Sequence, residues 1–145
     1  MPKNNNYFIV ILLFLSFLIP NDIGLIKNLK FIDGLSSNNI TEISIDNYNR
    51  AWIGTYNGIS MFNGHEFINY YNEDSISEKN INAIYIHNEN IWFGTNDGIQ
   101  RISKINDQFI VTNFINYNSG IYDLIKRGNN LFSVIKNKLL IFNLE

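Results

Sequence analysis

The sequence predicts an all-β chain: a partial β-propeller of about three four-stranded antiparallel blades, preceded by an N-terminal hydrophobic signal helix. Three observations carry that expectation. The chain repeats itself at a spacing of 40 to 41 residues. Its apolar clusters are short, β-branched or aromatic, and separated by Asn, Asp and Gly, which is the pattern of strands joined by turns. A single unbroken apolar run stands at the start.

That run is Tyr7 to Ile19, interrupted only by Ser16 and preceded by a short polar stretch with Lys3. As a helix it would span about 20 Å, short of the roughly 30 Å hydrocarbon core of a bilayer. Pro20, Asn21 and Asp22 end it at once. A basic start, a short apolar stretch and a polar break describe an export signal, so residues 1–24 are assigned as a signal peptide or N-terminal anchor. A buried N-terminal core helix is the alternative. The expected location is outside the inner membrane, periplasmic or extracellular, with membrane contact only through this segment.

The repeats begin beyond it. Asn39-Ile40-Thr41-Glu42-Ile43-Ser44-Ile45-Asp46 aligns with Asn80-Ile81-Asn82-Ala83-Ile84-Tyr85-Ile86-His87, an offset of 41. Trp52-Ile53-Gly54-Thr55 with Gly58-Ile59 aligns with Trp92-Phe93-Gly94-Thr95 with Gly98-Ile99, an offset of 40. A fainter third copy places Ile121, Leu124, Leu131, Phe132, Leu139 and Phe142 at the positions of Ile81, Ile84, Ile91, Trp92, Ile99 and Ile102. Within a copy, four strands A to D are expected, with Asn57-Gly58 and Asn63-Gly64 as hairpin turns. Four-stranded units that cannot bury both faces alone stack around an axis as blades. The blades are placed at about 35–74, 75–117 and 118–145, with residues 27–33 as a lone outer strand. Three blades are too few to close a ring of the usual 4–8, so missing blades or a homo-oligomer are expected to complete it.

Composition removes several classes of function. Eleven basic against 13 acidic residues give a net charge of −2, which argues against a nucleic-acid partner. Cysteine is absent, excluding thiol catalysis, disulfides and thiolate metal sites. His65 and His87 fall on polar segments in different parts of their repeats, a poor start for a metal site. Glu73, Asp74 and Glu78 form an acidic loop, read as a solvated linker with calcium binding as the lesser alternative. Lys126, Arg127, Lys136 and Lys138 are read as a solvated outer edge. No catalytic residue, cofactor or metal ligand is assigned.

The segment from Gly34-Leu35-Ser36-Ser37-Asn38-Asn39-Ile40-Thr41 through Asp46, Trp52-Ile53-Gly54-Thr55 and Gly58-Ile59 resembles the two-component regulator propeller repeat. Asn80-Ile81 with Ile91-Trp92-Phe93-Gly94-Thr95-Asn96-Asp97-Gly98-Ile99 resembles a second copy. The chain departs from the pattern by placing Asn49 and Asn88–Asn90 where glycine is usual, which asparagine tolerates in a left-handed conformation. The third copy lacks the Gly-Thr and later Gly signature. The resemblance implies the periplasmic sensor propeller of hybrid histidine kinases, hence a non-enzymatic sensor module binding an oligosaccharide or similar small ligand. The chain is then a truncated or split piece of such a sensor. The alternatives are a stand-alone exported module closing its ring by homo-oligomerisation, and part of a propeller lyase or glycosidase.

Trp52 and Trp92 are expected between neighbouring blades and not at a ligand. Gly54 and Gly94 are expected to let sheets approach, and Thr55 and Thr95 to tie the B-to-C turn. Asp46 is expected to bond its own backbone in a turn. A ligand is expected on the face carrying the D-to-A and B-to-C loops. There Tyr56 would stack on a sugar, while Asn57, Asn96 and Asp97 would hydrogen-bond hydroxyls.

Overall fold

The computed structural model describes residues 27–71, 76 and 79–144. The N-terminal segment 1–24 and the acidic residues Glu73, Asp74 and Glu78 lie outside the described residues.

Alternation of apolar and polar residues between turn-forming asparagines gives eleven strands among the described residues. These are β1 (Ile40–Ile45), β2 (Ala51–Thr55), β3 (Gly58–Phe62), β4 (Phe67–Tyr70), β5 (Ile81–His87), β6 (Asn90–Thr95), β7 (Gly98–Ile105), β8 (Gln108–Asn116), β9 (Asp123–Arg127), β10 (Asn130–Ile135) and β11 (Lys138–Asn143). They form three antiparallel meanders: β1-β2-β3-β4, β5-β6-β7-β8 and β9-β10-β11. The registers repeat with the sequence. Ser44 pairs with Trp52 and Trp52 with Met61, just as Tyr85 pairs with Trp92 and Trp92 with Arg101. Both first strands carry an irregularity after their opening isoleucine, between Ile40 and Glu42 and between Ile81 and Ala83. Asn49 and Asn88 take positive φ in the first turn of their sheets, at 59° and 55°.

The first strands β1, β5 and β9 lie side by side, which stacks the sheets face to face. Two apolar clusters fill the gaps. Between the first and second sheets, Trp52, Ile59, Met61 and Tyr70 meet Ile81, Ile84, Ile91, Phe93 and Ile102, with Ile76 from the connection. Between the second and third, Ala83, Trp92 and Ile99 meet Ile121, Leu124, Leu131 and Ile135. Trp52 is fully buried, stacked on Tyr70 at 5.8 Å and edge-on to Phe109 at 5.4 Å.

Both repeated glycines sit where these sheets touch. A Cβ on Gly54 would fall 2.8 Å from Cγ2 of Ile81, and one on Gly94 would fall 2.5 Å from Cγ2 of Ile121. Each glycine is therefore the seat for the opening isoleucine of the next sheet. The third sheet has Val134 at this place, 42% exposed.

One expectation is corrected. Residues 27–33 are not a lone strand: Phe31–Asp33 form a single 3-10 turn. The Asp33 carboxylate accepts the Lys30 N–H at 2.9 Å, the Asp33 N–H donates to the Lys30 carbonyl, and Phe31 N–H donates to Asn38 Oδ1. Local side-chain bonds thus satisfy the backbone that a strand would have offered to the sheet. Phe31 and Ile32 are left 59% and 90% exposed.

Candidate functional site

The two turns singled out by the sequence join β2 to β3 and β6 to β7, so they lie at the same end of successive sheets. A threonine builds each turn. Thr55 Oγ1 donates to the Gly58 carbonyl at 3.0 Å and accepts the Asn57 N–H at 2.9 Å. Thr95 Oγ1 donates to the Gly98 carbonyl and accepts from the N–H groups of Asp97 and Gly98. Both hydroxyls are fully buried, so the turns are held from beneath.

On this rim Tyr56 is 56% exposed, its ring available and its N–H bonded to the Asn39 carbonyl. Asn57 is half-buried and its amide donates to the Ser36 carbonyl at 3.3 Å. Asn96 is exposed, and its Oδ1 accepts from the Asn82 amide at 3.0 Å. Asp97 is half-buried; its carbonyl accepts the Tyr117 and Asn118 N–H groups. Among the described residues no hydrogen bond joins the two turns. Each amide braces its own turn on the preceding segment. The rim thus presents one aromatic face and a set of amide and carboxylate groups, a chemistry suited to binding hydroxyls.

Beneath the first turn runs a buried hydroxyl cluster that the sequence did not suggest. Ser36 Oγ lies 2.9 Å from Thr55 Oγ1 and accepts from Ser60 Oγ at 2.8 Å, while Ser36 N–H donates to Ser60 Oγ. Ser36 belongs to the matched Gly-Leu-Ser-Ser string, the one signal that could have marked it.

At the other end of the first sheet, Asp46 does more than close its turn. Its carboxylate accepts the N–H groups of Tyr48 and Arg50, the Arg50 Nε at 2.7 Å and the Trp52 indole N–H at 2.9 Å. Burial alone would raise its pKa, but the bonds from Trp52 and Arg50 outweigh it and hold the carboxyl below its ordinary value. The second repeat has His87 here, the last residue of β5, beside Lys126. Lys126 therefore lies between the second and third sheets and not on a solvated outer edge. Among the described residues no three His, Asp or Glu side chains gather as a metal site, and no helix is long and apolar enough to cross a membrane.

Comparison with known proteins agrees with this geometry. Residues 34–57 match the family described as Two component regulator propeller. The match falls on the first repeat, the segment whose residues resemble that family. Histidine kinase P4 of Formosa agariphila is 38% identical over 80 residues, covering 52% of this chain and 6% of that protein. Among solved structures, the extracellular domain of a one component system from B. thetaiotaomicron superposes over 82% of this chain and 17% of its own, at 22% identity and a TM-score of 0.67. A computationally designed protein superposes over 78% of this chain and 70% of its own, at 14% identity and a TM-score of 0.58. The chain spans a small part of both natural relatives. The structural likeness establishes the fold, an all-β stack of propeller blades.

Proposed function

We propose that this chain is a non-enzymatic, exported sensor module, part of a larger two-component sensor propeller, that binds a small ligand on the rim of Tyr56, Asn57, Asn96 and Asp97. The observation that carries the reading is the matched repeat at 34–57, set within blades that use one seating contact twice. The apolar run Tyr7 to Ile19 supports export, and an aromatic ring beside amides supports an oligosaccharide or similar neutral ligand.

Both end faces support further blades. Ile43 and Ile45 on the first sheet stand where Ile84 and Ile86 of the second pack against the preceding blade, yet they are exposed. Ile125, Leu139 and Ile141 make the matching exposed face on the third sheet. A second reading, ring closure by another copy, rests on the same pair of faces. It meets Val134, which would face Ile40 where the internal seats have glycine facing isoleucine.

Calorimetric titration of the chain with a panel of neutral oligosaccharides tests the function. The expected result is saturable binding to at least one, weakened tenfold or more by Tyr56→Ala and by Asp97→Ala. Binding that neither substitution changes moves the ligand off this rim. Release of reducing sugar by the purified chain overturns the non-enzymatic reading. Sequencing the locus on both sides of the coding region separates a larger sensor from a self-closing module.

A further inference from the structure

A second cleft opens between the second and third sheets, at the end of the strands opposite the proposed rim. It holds about 260 Å³ and is lined by His87, Trp92, Arg101 and Lys126, with Asn88 and Asn129 at the first turns of the two sheets. No carboxylate lines it among the described residues. In a chain with a net charge of −2, two cations facing one cleft with no acid is a local reversal of the overall balance.

Among the described residues neither cation is paired with an acid. The guanidinium of Arg101 lies over the Trp92 ring, 5.2 Å from its centroid, and its buried Nε has no hydrogen-bond partner. No ion pair reaches Arg101 or Lys126 among the described residues. Lys126 Nζ lies 3.2 Å from His87 Nε2. An ammonium only donates, so in this contact the imidazole nitrogen is the acceptor. An arginine with a dehydrated, unused donor is costly unless something accepts from it. Its planar fork, held over the indole, can offer paired N–H groups to the two oxygens of an oxyanion, and the lysine adds a point charge beside it.

We infer that this cleft is an anion-binding site for a carboxylate, sulfate or phosphate group carried on a body of about the size of a sugar ring. The volume exceeds that of a bare inorganic anion, which leaves room for the carrier. Trp92 is almost wholly buried beneath Arg101, so the cleft offers no open aromatic face to a neutral sugar. The charged group is what it selects. This site is separate from the rim of Tyr56 and Asp97 and stands whether or not that rim binds.

The chain has two histidines, which supply both the probe and its control. His87 lines the cleft, while His65 lies exposed in the turn between β3 and β4. Their ring resonances are followed by NMR during titration with galacturonate, inorganic sulfate and galactose at constant ionic strength. Galacturonate and sulfate are expected to shift His87 saturably, galacturonate at lower concentration, with His65 unmoved and galactose without effect. Lys126→Ala and Arg101→Gln are each expected to raise the half-saturating concentration at least fivefold, with unchanged circular dichroism reporting intact folding. Overturning results are an equal response to galactose, parallel non-saturating shifts of both histidines, no shift of His87, or saturation that neither variant alters.

Discussion

Replacing Gly94 by alanine adds one methyl group where the second and third sheets approach closely. The new Cβ would lie 2.5 Å from Ile121 Cγ2, 2.7 Å from its Cβ and 3.1 Å from its carbonyl oxygen. Comfortable carbon contacts are about 3.5–4.0 Å, so Ile121 must retreat by about 1 Å. It cannot do so freely, because it is fully buried in the cluster with Ala83, Trp92 and Leu124. Overpacking of this kind costs about 1–3 kcal/mol, and the lower chain entropy of unfolded alanine offsets about 0.5 kcal/mol. A net loss of about 1.5 kcal/mol follows, which lowers Tm by roughly 6 °C for a domain of this size.

Urea unfolding followed by tryptophan fluorescence measures the loss. A double-mutant cycle with Ile121→Ala locates it: alone, that substitution costs about 3 kcal/mol, and in the Gly94→Ala chain it costs about 1 kcal/mol less, because it removes the clashing Cγ2. Val134→Ala, at the equivalent position of the third sheet with no further sheet against it, stays within about 0.5 kcal/mol of the parent. The seating argument fails if Gly94→Ala leaves stability unchanged, or if its effect and that of Ile121→Ala simply add.

Three further outcomes are expected. Asp46→Ala leaves the buried indole N–H of Trp52 and the Arg50 guanidinium without their acceptor, and lowers stability by about 3 kcal/mol in the same urea assay. Because the folded state depresses the Asp46 pKa, its contribution is complete above the ordinary carboxylate value of 3.8 and is lost as pH falls through the lower folded value. Urea midpoints measured from about pH 6 to about pH 2 therefore drop in the parent and drop less in Asp46→Asn. Thr95→Ala removes the hydroxyl that bonds three backbone groups of the β6–β7 turn, costing about 1–2 kcal/mol and speeding amide exchange at Asp97 and Gly98.

Much of this architecture was legible because the repeat supplies its own alignment. Trp52 and Trp92 at equivalent positions inside apolar strands pointed to the spaces between sheets, and Gly54 and Gly94 to a close approach. Neither inference needed a long-range contact to be known in advance. Asn49 and Asn88 gave away their turns for the same local reason, the tolerance of asparagine for positive φ. The segment before the first sheet misled, since Phe31 and Ile32 have the composition of a strand while Asp33 and Asn38 capture its backbone. The Asp46–Trp52 bond was half visible as a turn aspartate; its second partner depends on strand register. The cleft of His87, Arg101 and Lys126 was not legible at all. Its members come from β5, β7 and β9, and only the stacking of two sheets brings them together. On the candidate rim the residue types were readable, but not that Asn57 and Asn96 also brace their own turns.

The central claim is that each sheet is a blade built to seat a neighbour on both faces, leaving Ile43 and Ile45 at one end and Ile125, Leu139 and Ile141 at the other exposed among the described residues. Light scattering of the chain over a hundredfold range of concentration tests it most directly, beside a variant carrying Ile43→Glu and Leu139→Glu. The account predicts a mass that rises above that of the monomer with concentration, and a variant that remains monomeric with unchanged circular dichroism. A parent chain that stays monomeric throughout the range would contradict it.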